Sequence, residues 1–107
     1  MMSESLPEKI TAVLVERFRP RRVILFGSHA RGDSSPESDI DLFVELDDDL
    51  GKRPLERAVA VRSAFGLHPW PMDLLVYTTD EIRRMRRTEG TILSVVEAEG
   101  KVLYERS

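Results

Sequence analysis

Val23-Ile24-Leu25-Phe26, an apolar run set between Pro20 and Gly27, constrains this chain more than any other stretch. Four consecutive apolar residues leave no polar face when extended, so the strand they predict is buried on both sides. Helices must then lie over a small sheet, which makes the expected class α/β. No apolar run exceeds about four residues, against the ~20 a membrane span needs, so the chain is not expected to enter a bilayer.

The rest of the 107 residues fits that frame. Ser5-x-x-Glu8 is a capping-box pattern with Pro7 close behind it, and Leu6, Ile10, Val13, Leu14 and Phe18 follow at helical spacing. A helix is predicted over 6–18, stopped by Pro20. A short helix can begin at Ser28, and Gly32 to Ser38 is dense in turn residues. Asp39 to Leu46 alternates as a second strand, with Ile40, Leu42 and Val44 on one face and Asp39, Asp41 and Phe43 on the other. Pro54, Leu55, Ala58, Val59, Arg62 and Phe65 outline an amphipathic helix. Met72 to Tyr77 forms a third strand, Thr78-x-x-Glu81 caps a further helix, and another short helix ends near Gly100. Lys101 to Glu105 is expected as an edge strand, and His68 with Trp70 as a loop packed on the sheet. The sum is an α/β arrangement, a small mixed sheet covered by helices, with room for one core and no separate substrate lobe.

Composition removes several function classes. There is no cysteine, which excludes disulfides and thiolate metal sites, and 16 Lys+Arg against 19 Asp+Glu give a net charge of −3. Direct nucleic-acid binding is not expected from so acidic a total, although 13 of the 16 cations are arginine, a side chain suited to phosphate. The first eight residues lack the basic and apolar regions of a secretory signal, which with the missing cysteines suits a cytoplasmic protein.

Three acids and one turn carry the chemistry. Asp39 and Asp41 are two apart on a strand, so both carboxylates leave one face, where they can share a hard divalent ion with substrate phosphates. A solvated acidic face would read the same way. Gly27-Ser28 follows the buried strand and opens a helix, where backbone N–H groups attract an anion; an ordinary strand-to-helix turn is the alternative. Ten residues separate Ser28 from Asp39, giving Gly-Ser-(ten residues)-Asp-x-Asp. Asp73 lies at the start of another strand among Met72, Leu74, Leu75 and Val76, where it needs a metal, an arginine or water as partner. Arg31, a turn beyond Ser28, is placed to meet nucleotide phosphates. His29 adjoins the turn, while Asp47-Asp48-Asp49 and the arginines 83, 84, 86 and 87 read as solvated faces.

Phe26-Gly27-Ser28-His29-Ala30-Arg31-Gly32-Asp33, Ser38-Asp39-Ile40-Asp41-Leu42-Phe43-Val44 and Met72-Asp73-Leu74-Leu75-Val76 together resemble the minimal nucleotidyltransferases of the DNA polymerase beta superfamily. The resemblance implies one domain over residues 1–107 with a polymerase-beta palm-like core. It implies that Gly27 and Ser28 hold the nucleotide phosphates, that Asp39, Asp41 and Asp73 bind two Mg²⁺ ions, and that Asp73 also serves as base for an acceptor hydroxyl. The implied reaction transfers AMP from ATP to that hydroxyl with release of pyrophosphate. The implied partner is a helical HEPN-type toxin, adenylylated on a tyrosine by this chain as its antitoxin. Two alternatives stay open: neutralisation of the partner by occlusion alone, and transfer to a small-molecule hydroxyl in a cleft shared by a homo-oligomer.

Overall fold

The computed structural model describes residues 5–35, 38–66 and 71–106. The expected packing of His68 and Trp70 falls outside them. Helix α1 (Leu6–Phe18) opens with the capping interaction the sequence announced, the Ser5 hydroxyl accepting the Glu8 N–H at 3.3 Å. It ends at Phe18, and Arg19, the residue before Pro20, turns left-handed at φ 47° and donates its N–H to the Val15 carbonyl. The proline disfavours helical backbone at the residue before it, so the stop is set at Arg19.

Strand β1 (Arg22–Phe26) leads into the single-turn helix α2 (Ser28–Arg31), then into β2 (Ile40–Leu46). Helix α3 (Pro54–Ser63) carries the chain to β3 (Met72–Thr78), and α4 (Thr79–Arg86), α5 (Ile92–Glu99) and β4 (Lys101–Glu105) complete it. The sheet order is β3-β2-β1-β4. β1 pairs antiparallel with β2 and β4, whereas β2 and β3 run parallel with α3 as their crossover, as parallel neighbours require.

Both faces of the sheet are covered, as the apolar β1 run demanded. On one face Val23, Leu25, Leu42, Val44, Leu74 and Val76 pack with Ile10 and Leu14 of α1 and Val61 of α3. On the other, Ile24, Phe26 and Phe43 pack with Ile82 of α4 and Leu93 and Val96 of α5. Phe43 stacks on Tyr77 with ring centroids 5.5 Å apart, so the face it shares with Asp41 is dry at its centre. Asp41 and Asp73 lie at one end of that face.

Helix α3 departs from the expected face. Leu55 and Val59 are exposed, while Arg57 and Val61 are buried. The cause is Arg57, whose guanidinium donates to the carbonyls of Asp49, Lys52 and Val76 and to both oxygens of Glu81, at 2.7–3.1 Å. All five guanidinium protons are thereby used, so the charge can be buried and the helix rotates to place it inside.

Candidate active site

Strand register brings the sequence-predicted acids to one end of the sheet. Asp41, second residue of β2, pairs with Phe26 on the β1 side and with Asp73 on the β3 side. Residues in register share a face, so the Asp41 and Asp73 carboxylates leave the sheet side by side. Asp39 stands just before β2, exposed like Asp73, while Asp41 is half-buried. The entry of β3 is tied to that of β2 by the Ile40 N–H donating to the Pro71 carbonyl at 2.9 Å. Arg62 of α3 adds a second tie, donating to the Met72 carbonyl at 2.7 Å, one residue before Asp73. Helical spacing places Arg62 on α3 without naming a partner for it, since the Met72 carbonyl ten residues on is brought to it only by the tertiary fold.

Because Phe26 and Asp41 are paired, the next residue, Gly27, lies against the Asp41 side chain. A Cβ at Gly27 would overlap Asp41 Oδ2 and come within 3.2 Å of its Cγ. Gly27 also holds φ +74°, which an L side chain adopts only with strain. Both demands single out glycine, and they join the turn to the acids: Gly27 is the N-cap of α2 and Asp41 its neighbour. Within α2 the N–H groups of Ala30 and Arg31 donate to the Gly27 carbonyl. Those of Ser28 and His29 have no acceptor within the helix, as at any helix start.

The electrostatics follow from this crowding. Burial pushes the Asp41 carboxyl above the usual carboxylate range, and the negative charges of Asp73 and Asp39 push it further, with His29 and Arg31 opposing. A site that disfavours its own anion is one that gains from a cation. The donor set fits a hard divalent ion, since all the groups are carboxylate oxygens. Among the described residues no three acidic or histidine side chains are gathered tightly enough to hold a metal by themselves. That is compatible with an ion that takes one or two carboxylates from a protein and the rest of its shell from phosphates and water.

Arg31 is near the site but engaged. Its guanidinium pairs with Asp33 at 3.2 Å and with Glu99, the last residue of α5, at 3.4 Å. His29 does not aim its Nε2 at the acids; that atom lies 3.1 Å from the Ser38 carbonyl. The arginines of α4 are partly paired on the surface, Arg83 with Asp80 and Arg86 with Glu97. Asp47 binds Arg21 and Arg106 at the far end of β2 and takes no part in the site. No helix among the described residues is long and apolar enough to cross a membrane.

Comparison with known proteins bears on the fold and the family. A match to the inferred protein adenylyltransferase MJ1379 of Methanocaldococcus jannaschii is 44% identical over 36 residues, 34% of this chain and 36% of that protein. The chain thus spans about a third of this relative's length. Among solved structures, a toxin–antitoxin crystallised with AMP-PNP superposes with a TM-score of 0.61 at 23% identity, covering 96% of this chain and 76% of the other. An inferred nucleotidyltransferase of Sulfolobus solfataricus gives 0.60 at 21% identity, over 92% and 77% of the two chains. A chain from the complex of tri-AMPylated Shewanella oneidensis HEPN toxin with MNT antitoxin gives 0.53 at 24% identity, over 94% and 71%. At such identities the structures share the fold. The family model described as Polymerase beta, Nucleotidyltransferase matches residues 8–107, and to that nucleotidyltransferase family this chain belongs.

Proposed function

We propose that this nucleotidyltransferase transfers AMP from ATP to a hydroxyl, a tyrosine side chain on a helical HEPN-type partner toxin, and so acts as that toxin's antitoxin. The observation that carries the reading is the seating of Asp41 between Gly27 and Asp73, which makes the phosphate turn and the acids one site. The MNT–HEPN complex and the AMP-PNP-bound toxin–antitoxin that share this fold support the choice of partner and nucleotide.

In this reading the Gly27-Ser28 turn receives the triphosphate, with the Ser28 hydroxyl and the first N–H groups of α2 as donors. Asp39, Asp41 and Asp73 would hold two Mg²⁺ ions, which, when bound, activate the attacking hydroxyl and stabilise the leaving phosphate oxygen. Asp73 takes the proton of the acceptor hydroxyl as its oxygen bonds to the α-phosphorus. The bond to the β-phosphate oxygen breaks on the opposite side, and pyrophosphate leaves. Arg31, released from Asp33 and Glu99, neutralises phosphate charge. The chain acts as one domain in the cytoplasm, with the acceptor wall of the site supplied by the partner.

Intact-mass measurement of the co-purified partner tests this. The partner gains adenylyl mass with ATP and Mg²⁺ and loses toxicity with it. Full neutralisation by an Asp39→Asn/Asp41→Asn double variant, with no mass gain, would instead favour occlusion.

A further inference from the structure

The phosphate turn and the acids belong to different segments, separated in the chain by residues 32–38. The β1–β2 register fixes Asp41 beside Gly27, but Asp39 stands one residue before β2 and outside that register. One side chain bridges the two segments. His29, immediately after the turn, places Nε2 3.1 Å from the Ser38 carbonyl, one residue before Asp39. A carbonyl oxygen only accepts, so this nitrogen must carry the proton and donate. The bridge is part-buried, unlike the contacts around it, and spans nine residues. Its loop end is stiffened further. The Ser38 N–H donates to the Ser35 carbonyl at 3.0 Å, and the Ser35 N–H donates to the Ser38 hydroxyl at 2.8 Å. The other end is anchored too, since the N–H groups of Gly32 and Asp33 both donate to the Ser28 carbonyl.

We infer that His29 is a positioning residue: its Nε2–H, bound to the Ser38 carbonyl, holds Asp39 at a fixed place relative to the Gly27-Ser28 turn. The inference rests on the nucleotidyl-transfer reading of the site. It gives His29 a role other than acid–base catalysis, because the nitrogen nearest the loop is committed to a backbone carbonyl. The geometry of a site built from two segments is then set before substrate arrives, which is where placement errors of an ångström cost most.

Two measurements on the whole chain test it. The first is the tautomer of His29, read by long-range ¹H–¹⁵N NMR and assigned by loss of its signals in His29→Ala. The inference expects a proton on Nε2; a ring protonated only on Nδ1 overturns it. The second is the affinity for AMP-PNP with Mg²⁺, by calorimetry. His29→Ala is expected to weaken binding about tenfold, while His29→Gln, which keeps an N–H donor, recovers to within about threefold of wild type. Equal losses in Ala and Gln, or none in Ala, overturn it. If the wild-type chain binds no AMP-PNP, the nucleotidyl-transfer reading of the site fails, and with it the positioning role; the tautomer then tells whether the bridge itself exists.

Discussion

The Asp41 carboxylate rests against the bare Cα of Gly27, so close that a Cβ on Gly27 would overlap Asp41 Oδ2. That contact ties the turn after β1 to the acid on β2, and the site stands or falls with it. Gly27→Ala therefore both strains a backbone at φ +74° and displaces Asp41. Transfer should fall by about a hundredfold or more, with a stability loss on the order of 1–3 kcal/mol. Chemical denaturation of Gly27→Ala, Asp41→Ala and the double variant checks the cause: the loss from Gly27→Ala should shrink once Asp41 is truncated.

Asp41 itself is held at a cost. Its folded carboxyl titrates above the unfolded value, so the native state binds the proton more tightly and loses stability as pH rises through that range. Asp41→Asn removes the repulsion from Asp73 and Asp39. The expected outcome is loss of transfer together with a metal-free melting temperature raised by ~2–4 °C, a gain of about 0.5 kcal/mol after solvent screening. Calorimetry without divalent ions reads it.

Much of this was legible in the sequence. The helix caps at Ser5 and Thr78, the β1 run and the Gly-Ser-(ten residues)-Asp-x-Asp spacing each rest on local chemistry that neighbours in the chain determine. What stayed hidden is tertiary. The register that sets Asp41 beside Asp73 depends on a parallel pairing across α3, and nothing local specifies it. The same holds for α3, where apolar spacing nominated Leu55 and Val59 while the carbonyls around Arg57 decided the buried face. His29 was visible as a neighbour of the turn, but its partner nine residues on was not.

Arg57 makes that hidden part measurable. Arg57→Met leaves Glu81 and three carbonyls without their donor and should cost about 3–5 kcal/mol, with Arg57→Lys recovering only part because it has three donors for five acceptors. Burial pushes the Glu81 carboxyl up, but hydrogen bonds from Arg57 and the Thr78 N–H outweigh it and leave it below the usual range. A depressed carboxyl stabilises above its unfolded value of about 4.3, and that share is lost as pH falls through the folded one. Urea titrations between neutral and acid pH should show a steeper fall for wild type than for Glu81→Gln.

Arg31 must leave Asp33 and Glu99 to reach a nucleotide. Both pairs are largely exposed, so the competition is mild. Glu99→Gln should tighten AMP-PNP binding by about two- to threefold, and Arg31→Met should weaken it by about tenfold. Equilibrium titration with Mg²⁺ present reads both.

In the proposed reaction this site moves the α-phosphoryl group with its nucleoside attached. Supplying the chain and its partner with ATP labelled at either the α- or the γ-phosphate tests it most directly. Label is expected on the partner from α-labelled ATP only, with γ-label leaving in pyrophosphate and no transfer by Asp41→Asn. Label arriving from the γ-position, or undiminished α-label transfer by Asp41→Asn, would contradict it.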